Sequence, residues 1–181
     1  MGAQSSTRIC IAVSACLLGE RVRYDGAQKR HPLITKLADE FELQTFCPEV
    51  AIGLGVPRAP VQLVATSAGI RARGVADPEH DIGDRLQAYA QQQCEVLTTC
   101  AGLIFKSRSP SCGLGSSPLF NEQDEQTGET NGLFATVLQD CLPGVPMVEE
   151  RALMTEDALT VFAGRVRDYD ALSRERGLGR G

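Results

Sequence analysis

The stretch GLIFKSRSPSCG at residues 102–113 decides the fold of this chain, because it joins a strand to a loop. Its apolar first half predicts a buried strand, and its serine-rich second half predicts a loop that leads to Cys112. The same order occurs twice earlier: the run at residues 8–13 leads to Cys16, and the run at residues 42–46 leads to Cys47. Three predicted strands are therefore each followed by a cysteine just beyond the carboxyl end.

Predicted helices alternate with these strands along the chain. Apolar residues at helical spacing predict helices at about residues 32–40, 82–99, 132–141 and 155–169, and a short strand is predicted at residues 145–148. Asp81 is expected to cap the second of these helices. Residues 61–64 and 70–74 suggest a hairpin, and the acidic stretch 121–131 suggests a solvated loop. The alternation indicates an α/β protein, specifically a three-layer α/β/α sandwich with a mostly parallel, Rossmann-like sheet.

Length and composition favour one domain, which we place at residues 8–172, with flexible termini at 1–7 and 173–181. No stretch approaches the ~20 apolar residues that span a bilayer. The N-terminus lacks the apolar core of a signal peptide, so we expect a cytoplasmic protein with no membrane partner. The net charge of −5 gives no general attraction to nucleic acid. The sequence indicates no particular oligomeric state.

The chain contains seven cysteines, a high number for a cytoplasmic protein. Because the number is odd and the spacings are long, a disulfide framework fits poorly, and packing, metal binding or thiol chemistry is favoured. Four of the seven lie in predicted strands or helices, or at helix ends, and are expected only to pack: Cys10, Cys94, Cys100 and Cys141.

The three cysteines beyond the strand ends are expected to meet at one site. Open parallel sheets bind ligands in the crevice beyond the carboxyl ends of their strands, where Cys16, Cys47 and Cys112 all fall. Three thiolates repel one another unless a cation lies between them, which zinc or an iron–sulfur cluster would provide. Three protein ligands would leave one metal position open. The alternative is that all three are small buried side chains.

Six motifs resemble those of a known family, the thiouracil desulfidases. They are SACLLG at 14–19, VRYDG at 22–26, CPE at 47–49, GLGVPR at 53–58, KSRSPSCG at 106–113 and GLFA at 132–135. The similarity extends in order over about residues 8–150. It implies a 4Fe-4S cluster held by Cys16, Cys47 and Cys112, with the fourth iron open. That iron would capture the thiocarbonyl sulfur of a small-molecule substrate, a thiolated nucleobase.

The resemblance also implies a catalytic pair, Glu49 of the CPE motif and a serine of the SPSC loop. Ser109 is the first choice for this serine and Ser111 the second. A general base beside the cysteines would deprotonate the attacking water, which is typically worth ~10²–10⁴-fold in rate. From the residues alone, Glu49 could instead complement a helix N-terminus, and the serines could bond to backbone in a turn. Nearby cations would offset the cluster or bind substrate, or else belong to the solvated surface: Arg23, Lys106 and Arg108.

The predicted function is iron–sulfur-dependent removal of sulfur from a substrate such as 2-thiouracil, converting C=S to C=O and releasing sulfide. A sulfur carrier or cluster-binding protein without turnover is the main alternative, and repeated sulfide release separates the two. A zinc or thiol-redox protein with Cys47 as nucleophile is another, distinguished by colour, since iron–sulfur clusters are brown. A nucleotide-binding module is disfavoured because no glycine-rich phosphate loop follows the first strand.

Overall fold

Strands and helices alternate along residues 8–177, the part of the chain that the computed structural model describes. The strands are β1 (Cys10–Ser14), β2 (Glu42–Phe46), β3 (Val61–Thr66), β4 (Gly69–Gly74), β5 (Cys100–Phe105), β6 (Ser117–Phe120), β7 (Gln126–Thr130) and β8 (Met147–Glu149). The helices are α1 (Pro32–Lys36), α2 (Pro48–Ala51), α3 (Gly83–Leu97), α4 (Leu133–Cys141) and α5 (Glu156–Glu175). Within this described part, no helix has the length and apolar character needed to cross a membrane.

Four strands form an all-parallel sheet in the order β2-β1-β5-β8. Every residue of β1 and of β5 is buried, which explains their uninterrupted small and apolar sequences. Val13 lies opposite Thr45 of β2 on one side and Ile104 of β5 on the other. This register brings the carboxyl ends of β2, β1 and β5 to the same edge. The three cysteine-bearing loops therefore leave neighbouring strands of one sheet.

Helices cover both faces of the parallel sheet. Alternate side chains of β1 therefore enter two different cores, one on each face. Ala12 packs in a core shared with α3 and α4, which contributes the fully buried Phe134. Val13 packs in the opposite core, with Ile34 of α1 and Val166 of α5. Burying one large aliphatic or aromatic side chain contributes ~1.5–3 kcal/mol. The two cores thus fix the sheet, and with it the loops at its carboxyl edge.

A second, mixed sheet with the order β4-β3-β6-β7 was not predicted. The antiparallel pairing of β3 with β4 confirms the predicted hairpin, while β6 lies parallel to β3 and antiparallel to β7. The prediction that residues 121–131 form only a solvated loop is wrong, because Gln126–Thr130 form β7. This exposed edge strand contains no large apolar side chain and so gives no hydrophobic signal. The chain is an α/β protein, but its strands divide between two sheets.

Several helix boundaries also differ from the predictions. α1 ends at Lys36 and is followed by a 3-10 turn, Leu37–Asp39. Asp81 is not the N-cap of α3; its carboxylate accepts the backbone N–H of Gly83 at 2.8 Å, one residue outside the cap position. α5 continues to Glu175 and so includes residues 173–175 of the predicted C-terminal tail. The predicted flexible segment 1–7 and the last four residues, 178–181, lie outside the described residues.

A disulfide joins Cys94 of α3 to Cys141 of α4, although the sequence analysis assigned both residues to packing. Their sequence separation of 47 residues gave no sign of the pairing. The two helices pack against each other, and the cysteine Cα atoms lie 6.0 Å apart, a usual separation for a disulfide. Disulfides are rare in reducing compartments, so this disulfide does not support the predicted cytoplasmic location. That location stays a prediction. Cys10 and Cys100 are buried neighbours in β1 and β5.

Candidate active site

The carboxyl edge of the parallel sheet opens into a cavity of about 470 Å³. Loops that follow β1, β2 and β5 form much of its wall, and Cys16, Cys47 and Cys112 all line it. Its size falls within the range of small-molecule sites, ~300–1,000 Å³. The structure therefore brings to one cavity three cysteines that lie far apart in the sequence.

Each of these cysteines is held by a different local structure. Cys16 lies in the 3-10 turn Ala15–Leu18, directly after β1. Cys47 is the N-cap residue of α2, directly after β2. Cys112 lies in the loop after β5, where its backbone N–H donates to Ser109 Oγ at 3.1 Å. The sulfur positions are thus set by strand ends and short turns, so they follow from the register of the sheet.

Burial favours the neutral, protonated form of all three thiols. It raises the pKa of Cys16 to about 11, although Lys106 and Arg23 act in the opposite direction. Burial likewise raises the pKa of Cys47, and it raises the pKa of Cys112 well above the usual value. A positive centre bound between the thiols would favour the thiolates, and each thiol that became a ligand would release its proton.

The three thiols fit the donor set of an iron–sulfur cluster, whose usual protein ligands are cysteine thiolates. Among residues 8–177, no three His, Cys, Asp or Glu side chains lie close enough together to hold a single metal ion. A hydrogen bond from Ser14 also works against the effect of burial on the pKa of Cys112, and so favours its thiolate.

Glu49 lies in the first turn of α2, two residues after Cys47, and lines the same cavity. Its Oε2 accepts a hydrogen bond from Arg58 Nε at 2.8 Å and lies 2.7 Å from Arg58 Nη2. Its Oε1 accepts the Ser111 hydroxyl at 2.9 Å. The side chain is only 12% exposed, so bulk water has little access to it. A carboxylate in this position can take a proton from a water molecule in the cavity.

The two candidate serines have different surroundings. Ser109 lines the cavity, and its Oγ accepts the backbone N–H groups of Ser111 at 3.2 Å and Cys112 at 3.1 Å. Because Ser109 is the acceptor in both bonds, neither of them uses its hydroxyl proton. Ser111 is 1% exposed and donates its hydroxyl proton to Glu49. Ser109 is therefore placed to meet a substrate, and Ser111 is placed to hold Glu49.

The three predicted substrate-binding cations, Arg23, Lys106 and Arg108, all border the cavity. Lys106 Nζ donates a hydrogen bond to the Ser107 hydroxyl oxygen at 2.9 Å, and it forms an ion pair with Glu150. The Arg23 guanidinium lies 3.3 Å from the nearby Asp25 carboxylate. Arg108 has the most open side chain of the three, at 64% exposed; its Nη1 lies 4.0 Å from the exposed Glu129 carboxylate, and its backbone is left-handed with φ of 59°. Arg108 is thus the cation with most freedom to reach a ligand.

Two adjacent carboxylates at the end of β8 hold both ends of the loop at residues 107–116. Glu150 accepts the backbone N–H and the hydroxyl of Ser107, each at 2.7 Å. Glu149 accepts the backbone N–H of Leu114 at 2.6 Å and the hydroxyl of Ser116. The buried Glu149 is 5% exposed, so water cannot easily replace these bonds. Both carboxylates stabilise the loop that carries Cys112.

The sequence analysis gave no role to Arg58, Ser14, Glu149 or Glu150. Arg58 belongs to the GLGVPR motif, but its contact with Glu49 depends on how two loops fold together. The sequence did contain a sign of Glu149 and Glu150, because both directly follow a predicted strand, just as the three cysteines follow theirs. A search for every polar side chain beyond a strand end would have found them.

The fold and the site define an α/β protein with an enzyme-like cavity, in which thiols and a carboxylate meet beyond a parallel sheet. Residues 11–150 match the family model described as 2-thiouracil desulfurase. The chain therefore belongs to the 2-thiouracil desulfurase family. This match confirms the family resemblance, and with it the desulfidase class of enzyme predicted from the sequence.

Two known proteins illustrate the similarity. The chain is 32% identical over 111 residues to the "Uncharacterized protein YbbK" of Bacillus subtilis (strain 168), an alignment that covers 58% of this chain and 74% of that protein. Among solved structures, the 4Fe-4S-dependent thiouracil desulfidase TudS is 28% identical and matches with a TM-score of 0.65, over 81% of this chain and 93% of TudS. Each alignment covers most of the known protein, so the similarity extends well beyond isolated motifs.

Proposed function

We propose that this protein removes the sulfur of a thiolated nucleobase such as 2-thiouracil, converting C=S to C=O and releasing sulfide. The proposal rests on one observation, the single cavity in which three thiols lie beside the Glu49 carboxylate and the Ser109 hydroxyl. Family membership and the similarity to a 4Fe-4S-dependent thiouracil desulfidase support it. In the overall reaction, the oxygen of one water stays on the carbon, and both protons leave with the sulfur.

Cys16, Cys47 and Cys112 would hold a 4Fe-4S cluster and leave its fourth iron without a protein ligand. When bound there, such a cluster supplies a Lewis-acidic iron that binds the thiocarbonyl sulfur and accepts it as sulfide. The three thiols lose their protons on becoming ligands. Burial raises the pKa of Cys16, but Lys106 and Arg23 oppose this and so offset the negative charge of the thiolates.

Glu49 acts as the general base in this proposal. It takes a proton from the water that attacks the carbon, which is typically worth ~10²–10⁴-fold in rate. Ser109 donates its free hydroxyl proton to the substrate and thereby orients the ring. Ser111, which the sequence analysis ranked second as the catalytic serine, holds Glu49 instead of meeting the substrate. Arg23, Lys106 and Arg108 border the space in which the substrate would lie.

The domain bounds and the layer arrangement of the fold around this site are also proposals. We propose that residues 8–172 form one domain, a three-layer α/β/α sandwich around the Rossmann-like parallel sheet. The helices that pack on both faces of this sheet support the three layers. The second sheet would then be an addition beside the sandwich, formed by the segment between β2 and α3 and the segment between β5 and α4.

The test is anaerobic reconstitution with iron and sulfide, followed by incubation with excess 2-thiouracil. We expect a brown protein that releases many equivalents of sulfide and of uracil. Cys16→Ala, Cys47→Ala and Cys112→Ala should each prevent normal cluster assembly. The matched control is the double variant Cys94→Ala/Cys141→Ala, which removes two cysteines outside the cavity and should stay brown.

Two outcomes would contradict the proposal. Sulfide release that stops at one equivalent would identify a carrier instead of an enzyme. A control variant that lost its colour while Cys112→Ala kept it would refute the ligand assignment. For the base, Glu49→Gln should keep the cluster spectrum and lower kcat by ~10²–10⁴-fold. Full turnover in that variant would remove Glu49 from the mechanism.

A further inference from the structure

Arg58 borders the cavity, yet its guanidinium is nearly enclosed, with the side chain 9% exposed. Nε and Nη2 both approach Oε2 of Glu49, at 2.8 and 2.7 Å. Nη1 donates to the carbonyl oxygens of Val22 at 2.9 Å and Gly55 at 3.2 Å. The guanidinium therefore connects the Glu49 carboxylate to two of the surrounding loops.

The backbone of Arg58 is anchored as well, since its N–H donates to the Tyr24 carbonyl at 2.8 Å. A guanidinium is planar and carries its donors in a fixed fork, so it cannot turn without breaking several bonds together. Glu49 is consequently held in one orientation by a group that is itself held at both ends.

The distribution of hydrogen bonds also distinguishes the two oxygens of Glu49. Both Arg58 donors approach Oε2, whereas Oε1 accepts the single hydroxyl of Ser111. A carboxylate oxygen has two lone pairs, so Oε1 keeps one that can accept a proton. Oε1 is therefore the oxygen better placed to act as the base.

We propose that Arg58 is a positioning residue for desulfidation, which holds Glu49 so that Oε1 takes the proton of the attacking water. This inference rests on the proposed function, and in particular on Glu49 as the base. Arg58 acts through Glu49 alone in this account. The competing explanation is purely structural: Arg58 joins the loops of Val22 and Gly55 and has no effect on the reaction beyond stability.

The first test is Arg58→Lys, which keeps the positive charge but lacks the fork of donors. A displacement of the base by about 1 Å is enough to lower the rate ~10²-fold, so we expect kcat to fall by about 10–100-fold. KM should stay within about threefold, because Arg58 holds the base and does not bind the substrate. Arg71→Lys is the matched control: Arg71 pairs with Asp81 and Asp84, does not border the cavity, and should leave kcat unchanged.

The second test places Arg58→Lys in the Glu49→Gln background. If Arg58 acts only through Glu49, the double variant should turn over no more slowly than Glu49→Gln alone. A purely structural role predicts a further loss of kcat in the double variant, because the loops would be disturbed whether or not the base is present. Arg58→Gln serves as a second variant if the lysine is poorly tolerated.

A third readout needs neither cluster nor substrate. In metal-free protein, the infrared carboxylate band that disappears in Glu49→Gln should shift in Arg58→Lys and not in Arg71→Lys. Absence of the shift, or a wild-type kcat in Arg58→Lys with its cluster spectrum intact, would overturn the inference while leaving the proposed function standing. A wild-type protein that binds its cluster but releases no sulfide would overturn the proposed function, and this inference with it.

Discussion

Gly132 offers the sharpest test of how the cysteine loop is held, because it lies directly against that loop at the N-terminus of α4. A Cβ atom at this position would lie 2.4 Å from the carbonyl carbon and oxygen of Ser111 and 2.8 Å from the nitrogen of Cys112. The backbone of Gly132 is not in the left-handed region, with φ of −65°. Gly132→Ala is therefore compatible with the local backbone, and only the lack of space opposes it.

The size of the effect follows from these distances. Ordinary contacts of a Cβ atom begin near 3.4 Å, so the peptide between Ser111 and Cys112 must retreat by about 1 Å. Overpacking of this kind typically costs about 1–3 kcal/mol in the free energy of unfolding. The same displacement moves a proposed ligand and the serine that holds Glu49, so kcat should fall by about 10²-fold.

The assay is urea unfolding of the metal-free protein, together with the rate of sulfide release by the reconstituted protein. Gly128→Ala in β7 is the matched control, since nothing lies within 4 Å of the Cβ atom it would add. That variant should keep both properties. A Gly132→Ala protein with wild-type stability and wild-type kcat would refute the argument that the close approach of α4 fixes the loop.

Two further predictions concern the carboxylates at the end of β8. Glu149→Ala should lower the free energy of unfolding by at least about 1–3 kcal/mol, because it removes the acceptor of the buried Ser116 hydroxyl and of the partly buried Leu114 N–H. A loss well below about 1 kcal/mol in urea unfolding would contradict this. Burial raises the pKa of Glu150, but hydrogen bonds, chiefly from Lys106, outweigh it and leave this pKa below the ordinary 4.5. The wild type should therefore be more stable than Glu150→Gln at neutral pH and lose that advantage as pH falls below 4.5, whereas a difference that stays constant with pH would refute the assignment.

The buried parts of the fold were the most predictable from the sequence. β1 and β5 lie in the middle of the parallel sheet, so their uninterrupted apolar runs marked them clearly. β7 was missed because an exposed edge strand of polar residues has no hydrophobic pattern. The pairing of Cys94 with Cys141 was missed because it depends on the packing of α3 against α4, which no local pattern records.

The residues of the candidate site were likewise predictable only in part. The positions of Cys16, Cys47 and Cys112 beyond three strand ends were enough to predict a shared cavity, since parallel strands end at one edge. Arg58 escaped notice because its contact with Glu49 is made between loops and follows no strand or helix pattern. The different hydrogen bonds of Ser109 and Ser111 could not be predicted either, because they depend on the direction in which each hydroxyl points.

The order β2-β1-β5 has a consequence for how the protein matures. The first two thiol-bearing loops leave the ribosome early, but the third follows β5, more than fifty residues later. No amino-terminal fragment that ends before β5 contains all three cysteines, so such a fragment would lack one of the three proposed cluster ligands. In the proposed function, all three ligands would therefore meet only after the chain has passed Cys112 and β5 has paired with β1.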